Sequence, residues 1–499
     1  MPGDLTALAA GLANLFDPLS LLLLVGGIVL GLVIGILPGL GPPIAIAVAL
    51  PFTFYMDAVP SLMLLLAIYS AATYGGSISA IALGIPGTGS AMATVLDGHR
   101  MFKNGQGGEA LGLSLTASII GGLFSALALA VLAPFLASVA VQFGPREYLA
   151  ISVFGLLVVV RVAGDDWVKG MIAAAIGLFL TTWGVDPVNG TTRYLFGSWH
   201  LYEGMPFVPF LLGIFAVSEM FIQAEHNLRA SKFDSDSLRA RLPSLPVLNR
   251  LKGLIFRSSA IGTIIGVIPG EGAAVGAFFS YSEAKRRSDA PEKFGTGIPE
   301  GIVAPETANN ATIGGALVPT LTLGVPGSPA AAVLLGAFLI QGLVPGPKLF
   351  ADRPDLMYSI FLGLFVINIL MIFIGLVTIR FAAKIVAIPS QIVIPSVLIL
   401  CFLGTYSVTG DLFGILVMIL AGIFGYLFRK LGFPIAPLSI GFVLGEILET
   451  ALRQSFVVSS GNLVGVFNTP IALTIYGILL ATILWEPITK RLLKGKTSK

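Results

Sequence analysis

The sequence predicts an all-α polytopic membrane protein in two repeated halves, and three observations carry that prediction. The chain of 499 residues is 56% hydrophobic and 11% charged, with a mean hydropathy of +0.93. A soluble protein carries roughly 25% charged residues, so lipid must solvate most of this surface. Its apolar residues also run in stretches long enough to cross a bilayer. Proline–glycine pairs interrupt those stretches at matched places. Gly35-Ile36-Leu37-Pro38-Gly39-Leu40-Gly41 is answered by Gly266-Val267-Ile268-Pro269-Gly270-Glu271-Gly272 at an offset of 231. Leu83-Gly84-Ile85-Pro86-Gly87-Thr88 is answered by Leu323-Gly324-Val325-Pro326-Gly327-Ser328 at an offset of 240.

Taken in order, spans of roughly 17–25 residues are read at 19–37, 57–74, 110–132, 147–163, 167–184 and 205–224. The second half offers 254–269, 303–325, 356–379, 391–408, 411–428, 434–450 and 470–486. Shorter apolar pieces at 40–54, 78–96, 273–283 and 329–344 accompany the breaks and read as half-helices or re-entrant hairpins. The total is about 11–14 membrane segments. The duplication extends further: Pro209 to Gly213 is answered by Pro437 to Gly441, each with a glutamate (Glu219, Glu446) downstream, and Gly164-Asp165 by Gly410-Asp411. The expected domains are a first membrane repeat at 1–224, a basic linker at 225–252, a second repeat at 253–469, and an extra helix with a basic tail at 470–499.

Charge sets the expected orientation. The linker carries Arg229, Lys232, Arg239, Arg241, Arg250 and Lys252, and the tail Lys490, Arg491, Lys494, Lys496 and Lys499. Basic loops stay in the cytoplasm. With linker and tail on one side and one unpaired last helix, each half crosses an odd number of times. The repeats are therefore inverted and the amino terminus, with Asp4 and Asp17 but no basic residue, is periplasmic. Met1 to Ser20 lacks the basic start and cleavage site of a signal peptide. The net charge of +3 gives no surface for nucleic acid, and Cys401, the only cysteine, excludes an intrachain disulfide.

Chemistry is expected at the breaks. A Pro-Gly break frees backbone N–H and C=O groups that lipid cannot satisfy, so it survives only inside protein or beside a polar cavity. Matched breaks in two halves point to a secondary transporter's binding site. A restarting helix offers N–H groups and a positive dipole end to an anion; a stopping helix offers carbonyls to Na⁺ or a proton-bearing water. One such loop alone would be a structural kink. Four in matched pairs favour a site at Pro38, Gly39, Gly41, Pro86, Gly87, Pro269, Gly270, Pro326 and Gly327. Thr88, Ser90 and Ser328 stand at the restarting ends, where a hydroxyl caps the helix or touches substrate.

Polar clusters precede the second breaks. Ser70, Thr73 and Ser77 lie in one half, Glu306, Thr307, Asn309, Asn310 and Thr312 in the other. Interhelical hydrogen bonding is the plain explanation, and a pore-facing site for a polar anion and its coupling ion the sharper one. Glu271 and Glu306 read equally as proton relays or as solvated interfacial carboxylates. The ridge Gly27, Gly31, Gly35 and Gly39, mirrored by Gly262, Gly266 and Gly270, reads as close helix packing. His99, His200 and His226 have no metal-ligand spacing. Gly495-Lys496-Thr497 lacks the upstream glycine of a nucleotide loop, since Lys490 stands there. No catalytic motif appears, so an enzyme is disfavoured and transport must run on an ion gradient. Na⁺ or H⁺ is the expected coupling ion, with no other cofactor.

Residues 35–42 (GILPGLGP), 74–90 (YGGSISAIALGIPGTGS), 269–273 and 305–311 (PETANNA) resemble the large membrane subunit of the tripartite tricarboxylate transporter family, over roughly residues 20 to 470. The resemblance implies a permease in a bacterial inner membrane, taking up organic carboxylates with Na⁺ or H⁺. It also implies two partners: a small membrane subunit of about four helices and a periplasmic solute-binding protein. The site residues above rest on the break geometry rather than on the family pattern. A channel would also use broken helices, and a membrane-embedded enzyme is the third class; paired breaks favour alternating access over both.

Overall fold

A computed structural model describes residues 5–162, 166–186, 189–226, 240–270 and 272–494, with side chains as far as residue 482. The tail residues 495–499, residues 227–239 of the expected linker, and Gly164, Asp165 and Glu271 lie outside the described residues. The chain is an all-α polytopic membrane protein. Among the described residues eight helices are long and apolar enough to span a bilayer, and the strand content is one short antiparallel pair, Gly184–Val185 with Thr192–Arg193.

The helices are α1 (Leu5–Leu15), α2 (Pro18–Ile36), α3 (Pro42–Ala49), α4 (Ala58–Leu83), α5 (Met92–Met101), α6 (Gly107–Ala140) and α7 (Pro145–Val162). They continue as α8 (Trp167–Leu180), α9 (Phe207–Leu212), α10 (Ser218–His226), α11 (Leu245–Val267), α12 (Gly272–Arg287), α13 (Pro299–Leu323) and α14 (Pro329–Ile340). The last are α15 (Pro347–Asp352), α16 (Pro354–Val386), α17 (Ser390–Thr409), α18 (Leu412–Lys430), α19 (Ile435–Val458), α20 (Leu463–Phe467) and α21 (Pro470–Lys494). Prolines stand at the first turn of many of these, where the missing N–H costs nothing. Helix α11 begins inside the stretch read as linker.

Two helices form the centre. Every residue from Val59 to Ala82 on α4 and from Gly301 to Thr322 on α13 is buried. These are the helices with the polar clusters. Hydroxyls and amides are costly against lipid, so the polar helices sit inside while apolar ones such as α17 and α18 turn Ile399, Leu403, Leu416 and Leu420 outward. The apolar piece expected at 78–96 is not one element. Residues to Leu83 finish α4, Gly84 caps it in the left-handed region (φ 70°) with its N–H on the Ala80 carbonyl, and α5 starts beyond the break. Gly324 closes α13 in the same conformation, at φ 71° and ψ 13°.

Small residues let the central helices touch. A Cβ on Gly31 would stand 2.7 Å from the Ile68 carbonyl oxygen and one on Gly35 2.4 Å from that of Ala72. In the second half a Cβ on Gly262 would meet the Ala308 oxygen at 2.3 Å and one on Gly266 that of Thr312 at 2.5 Å. The contacting residues recur at the offsets of the breaks, 231 for α2 against α11 and 240 for α4 against α13. The ridge ends before the breaks: Gly39 faces Glu219 and Gln223 instead.

Candidate functional site

The break after α2 is short because its backbone turns at once. Leu37 caps α2 through its N–H to the Ile34 carbonyl, Gly39 takes φ 83°, and Pro42 starts α3. The break after α4 runs from Gly84 to Thr88, and a one-turn 3₁₀ segment at Gly89–Ala91 leads into α5. In the second half Gly270 (φ 146°) and the turn Val325 to Ser328 do the corresponding work.

These loops meet around a cavity of about 680 Å³. Gly39, Gly41, Thr73, Pro86, Gly87, Thr88 and Ser90 line it from the first half, and Thr312 and Ser328 from the second. Gly89 and Ser90 of the 3₁₀ segment ahead of α5 also line it, with first-turn residues of two helices: Gly272 to Ala274 on α12 and Ala330 on α14. First-turn N–H groups have no acceptor within their own helix. Helix α3 differs, since Pro42 and Pro43 carry no N–H. Ser328 is both cap and lining: its hydroxyl accepts from Ala331 N–H at 3.1 Å and lies 2.9 Å from the Tyr69 hydroxyl. The Thr88 and Ser90 hydroxyls bond each other at 3.0 Å, so Thr88 does not cap through its side chain.

Some break donors are already used. Gly87 N–H donates to the Gly76 carbonyl at 3.1 Å, Gly270 N–H to that of Gly327 at 3.2 Å, and Gly327 N–H to the Thr320 hydroxyl at 3.3 Å. Pro38 offers its carbonyl to Gln223. Pro38, Pro269, Gly270, Pro326 and Gly327 thus fold the loops without lining the cavity.

Ser70, Ser77, Thr307, Asn309 and Asn310 lie outside the cavity lining, buried on α4 and α13. The hydroxyls of Ser70, Ser77 and Thr307, both polar atoms of Asn309 and the Asn310 carbonyl oxygen have no hydrogen-bond partner among the described atoms. Glu306 is fully buried, which corrects its reading as a solvated interfacial carboxylate; α5 and α6 cover it.

The cavity also has a cation that sequence reasoning overlooked. Arg429, in the last turn of α18, lines it and donates to the Glu219 carboxylate at 2.5 Å. The other Glu219 oxygen accepts from Gln223 at 3.3 Å, and Gln223 also donates to the Pro38 carbonyl at 3.1 Å. A chain of polar contacts therefore runs from Arg429 to the first break. In sequence, an arginine closing an apolar helix signals only orientation; its contact with Glu219, 210 residues away, exists only in the fold. Among the described residues Asp166, which caps α8, is the remaining charged lining residue. Among the described residues no group of His, Cys, Asp and Glu side chains could hold a metal ion.

The profile described as tripartite tricarboxylate transporter TctA family matches residues 21–440. The chain belongs to the TctA family. It is thus a membrane component of a tricarboxylate transporter. A protein of Agrobacterium vitis, described as an uncharacterized 52.8 kDa protein in the TAR-I ttuC' 3' region, is 37% identical over 480 residues, covering 95% of each chain. A second, from the TAR-II ttuC' 3' region of the same organism, is 36% identical over 223 residues, 45% of this chain and 92% of its own. No solved structure matches the chain.

Proposed function

We propose that this TctA-family protein is the permease subunit of a binding-protein-dependent secondary transporter, taking up organic di- or tricarboxylates by ion-coupled alternating access. The observation that supports the reading is the cavity itself. It gathers break residues from both halves, first-turn N–H groups and one arginine, the donor set that an organic carboxylate needs. Its volume of about 680 Å³ falls in the range of small-molecule sites, roughly 300–1,000 Å³.

In this reading the two halves are inverted repeats in a bacterial inner membrane, with the amino terminus periplasmic and the carboxyl terminus cytoplasmic. A small four-helix membrane subunit completes the permease, and a periplasmic binding protein delivers the anion. The test is uptake into vesicles that contain the permease and both partners. A Na⁺ or H⁺ gradient without ATP should concentrate a tricarboxylate such as citrate, and the rate should saturate. Uptake that needs ATP and ignores both gradients, or a linear flux that only equilibrates, would reject the reading.

A further inference from the structure

Behind the cavity, four helices converge on one carboxylate. Glu306 on α13 is 0% exposed. Thr94 on α5 donates to one of its oxygens, and Ser118 on α6 donates to the other at 2.9 Å. Ser77 on α4 and Ser114 on α6 lie against the same carboxylate, but neither hydroxyl reaches hydrogen-bond geometry. Among the described residues all four side chains that reach this carboxylate are hydroxyls.

A buried carboxylate facing only hydroxyls is electrostatically incomplete. Removing a charge from water costs several kcal/mol unless something neutralises it. Hydroxyl donors lower that cost without cancelling the charge. Unsatisfied oxygens remain: among the described residues the hydroxyls of Ser77 and Ser114 and, one turn along α13, the side-chain carbonyl oxygens of Asn309 and Asn310 are buried without partners. A proton on Glu306 would satisfy one oxygen and leave the rest unpaired. A cation bound by several oxygens would satisfy them together. The donors are oxygen only, which selects a hard ion, and their single negative charge matches a monovalent one.

We propose that Glu306, Thr94, Ser118, Ser77 and Ser114 form a Na⁺ site, separate from the anion cavity. It rests on the reading that uptake is coupled to an ion. Both halves contribute: α4, α5 and α6 precede the linker and α13 follows it. The ion therefore ties the central helices together, and its loss frees them to separate.

The test uses the purified full-length chain in detergent, with thermal unfolding followed in NaCl, KCl or choline chloride at matched ionic strength and pH. The expected result is a Tm that rises with NaCl only, following the concentration dependence of a bound ligand. Glu306→Gln should lose the rise. Ser118→Ala should keep the fold and shift the NaCl midpoint at least tenfold upward, so the proposal stays testable if the glutamine variant does not fold. Equal stabilisation by all three salts, an unchanged Na⁺ midpoint in Ser118→Ala, or a Tm set by pH alone would overturn it. This readout needs no carboxylate. A chain that binds Na⁺ here but accumulates no citrate in vesicles would reject the proposed uptake and leave this site standing.

Discussion

The phenol of Tyr69 on α4 lies 2.9 Å from the Ser328 hydroxyl that caps α14, joining positions 259 residues apart at the wall of the cavity. Ser328 is thereby held from both sides: it accepts from its own helix and bonds a residue of the other half. The cap that sets the direction of α14 is thus sensitive to the position of α4. Removing the phenol with Tyr69→Phe should lower stability by about 0.5–1.5 kcal/mol, the usual worth of one hydrogen bond. Thermal unfolding measures this, and an unchanged Tm would mean the contact is incidental.

Arg429 and Glu219 form the charged edge of the cavity, and they predict how an anion enters. A substrate carboxylate can take the place of the Glu219 carboxylate on the guanidinium. Arg429→Ala should therefore weaken citrate binding by about 1.5–3 kcal/mol, roughly 10- to 150-fold. Glu219→Gln should leave affinity unchanged or tighter. Equal losses in both variants, read by calorimetry on the purified chain, would mark the pair as structural.

The glycines of the breaks are expected to be irreplaceable for a packing reason. A Cβ on Gly87 would lie 2.3 Å from the Gly35 carbonyl oxygen, and one on Gly327 2.8 Å from that of Gly266. Gly87→Val and Gly327→Val should each cost about 1–3 kcal/mol by overpacking, and both should abolish uptake. Gly253→Ala is the matched control, because no atom of the described residues lies within 4 Å of its would-be Cβ. Normal transport by either valine variant would contradict this.

Asp97 on α5 docks the loop ahead of α13. Its carboxylate accepts from Gly295, Gly297 and Ile298 N–H at 2.9, 2.8 and 3.1 Å, and from the Tyr281 hydroxyl at 2.9 Å. Gly295 and Gly297 take φ of 87° and 103°, which turns their amides toward it. Asp97→Asn replaces one acceptor oxygen with an NH₂ donor. The loss should be about 1.5–3 kcal/mol, as for hydrogen bonds to a charged group. Amides 295–298 should then exchange faster with deuterated solvent; unchanged protection would refute the docking role.

The proposed orientation rests on loop charge and is tested by accessibility. In a Cys401→Ala background, Gly3→Cys should react with an impermeant thiol reagent on intact cells, and Thr497→Cys should not. The opposite pattern would reverse the topology and remove the case for inverted repeats.

Class and family were legible in the sequence because they depend on local quantities. Hydropathy over a helix length selects lipid as solvent, and Pro-Gly pairs interrupt a helix wherever they stand. Motifs such as YGGSISAIALGIPGTGS are long enough to identify a family without coordinates. The identity of the glycine ridge as a helix contact was legible too, since a four-residue spacing keeps one face. Tertiary structure alone decided which break residues line the cavity and which are occupied in folding the loops. Gly270 and Gly327 look like Gly39 and Gly87 in sequence, yet the first two bond each other. It alone placed Arg429 against Glu219 and buried Glu306 among hydroxyls from three other helices. The physical reason is range: a helix break is a property of five or six neighbouring residues. The partner of a charge is whatever side chain the packing of distant helices carries to within 3 Å, and no periodicity in the chain records it.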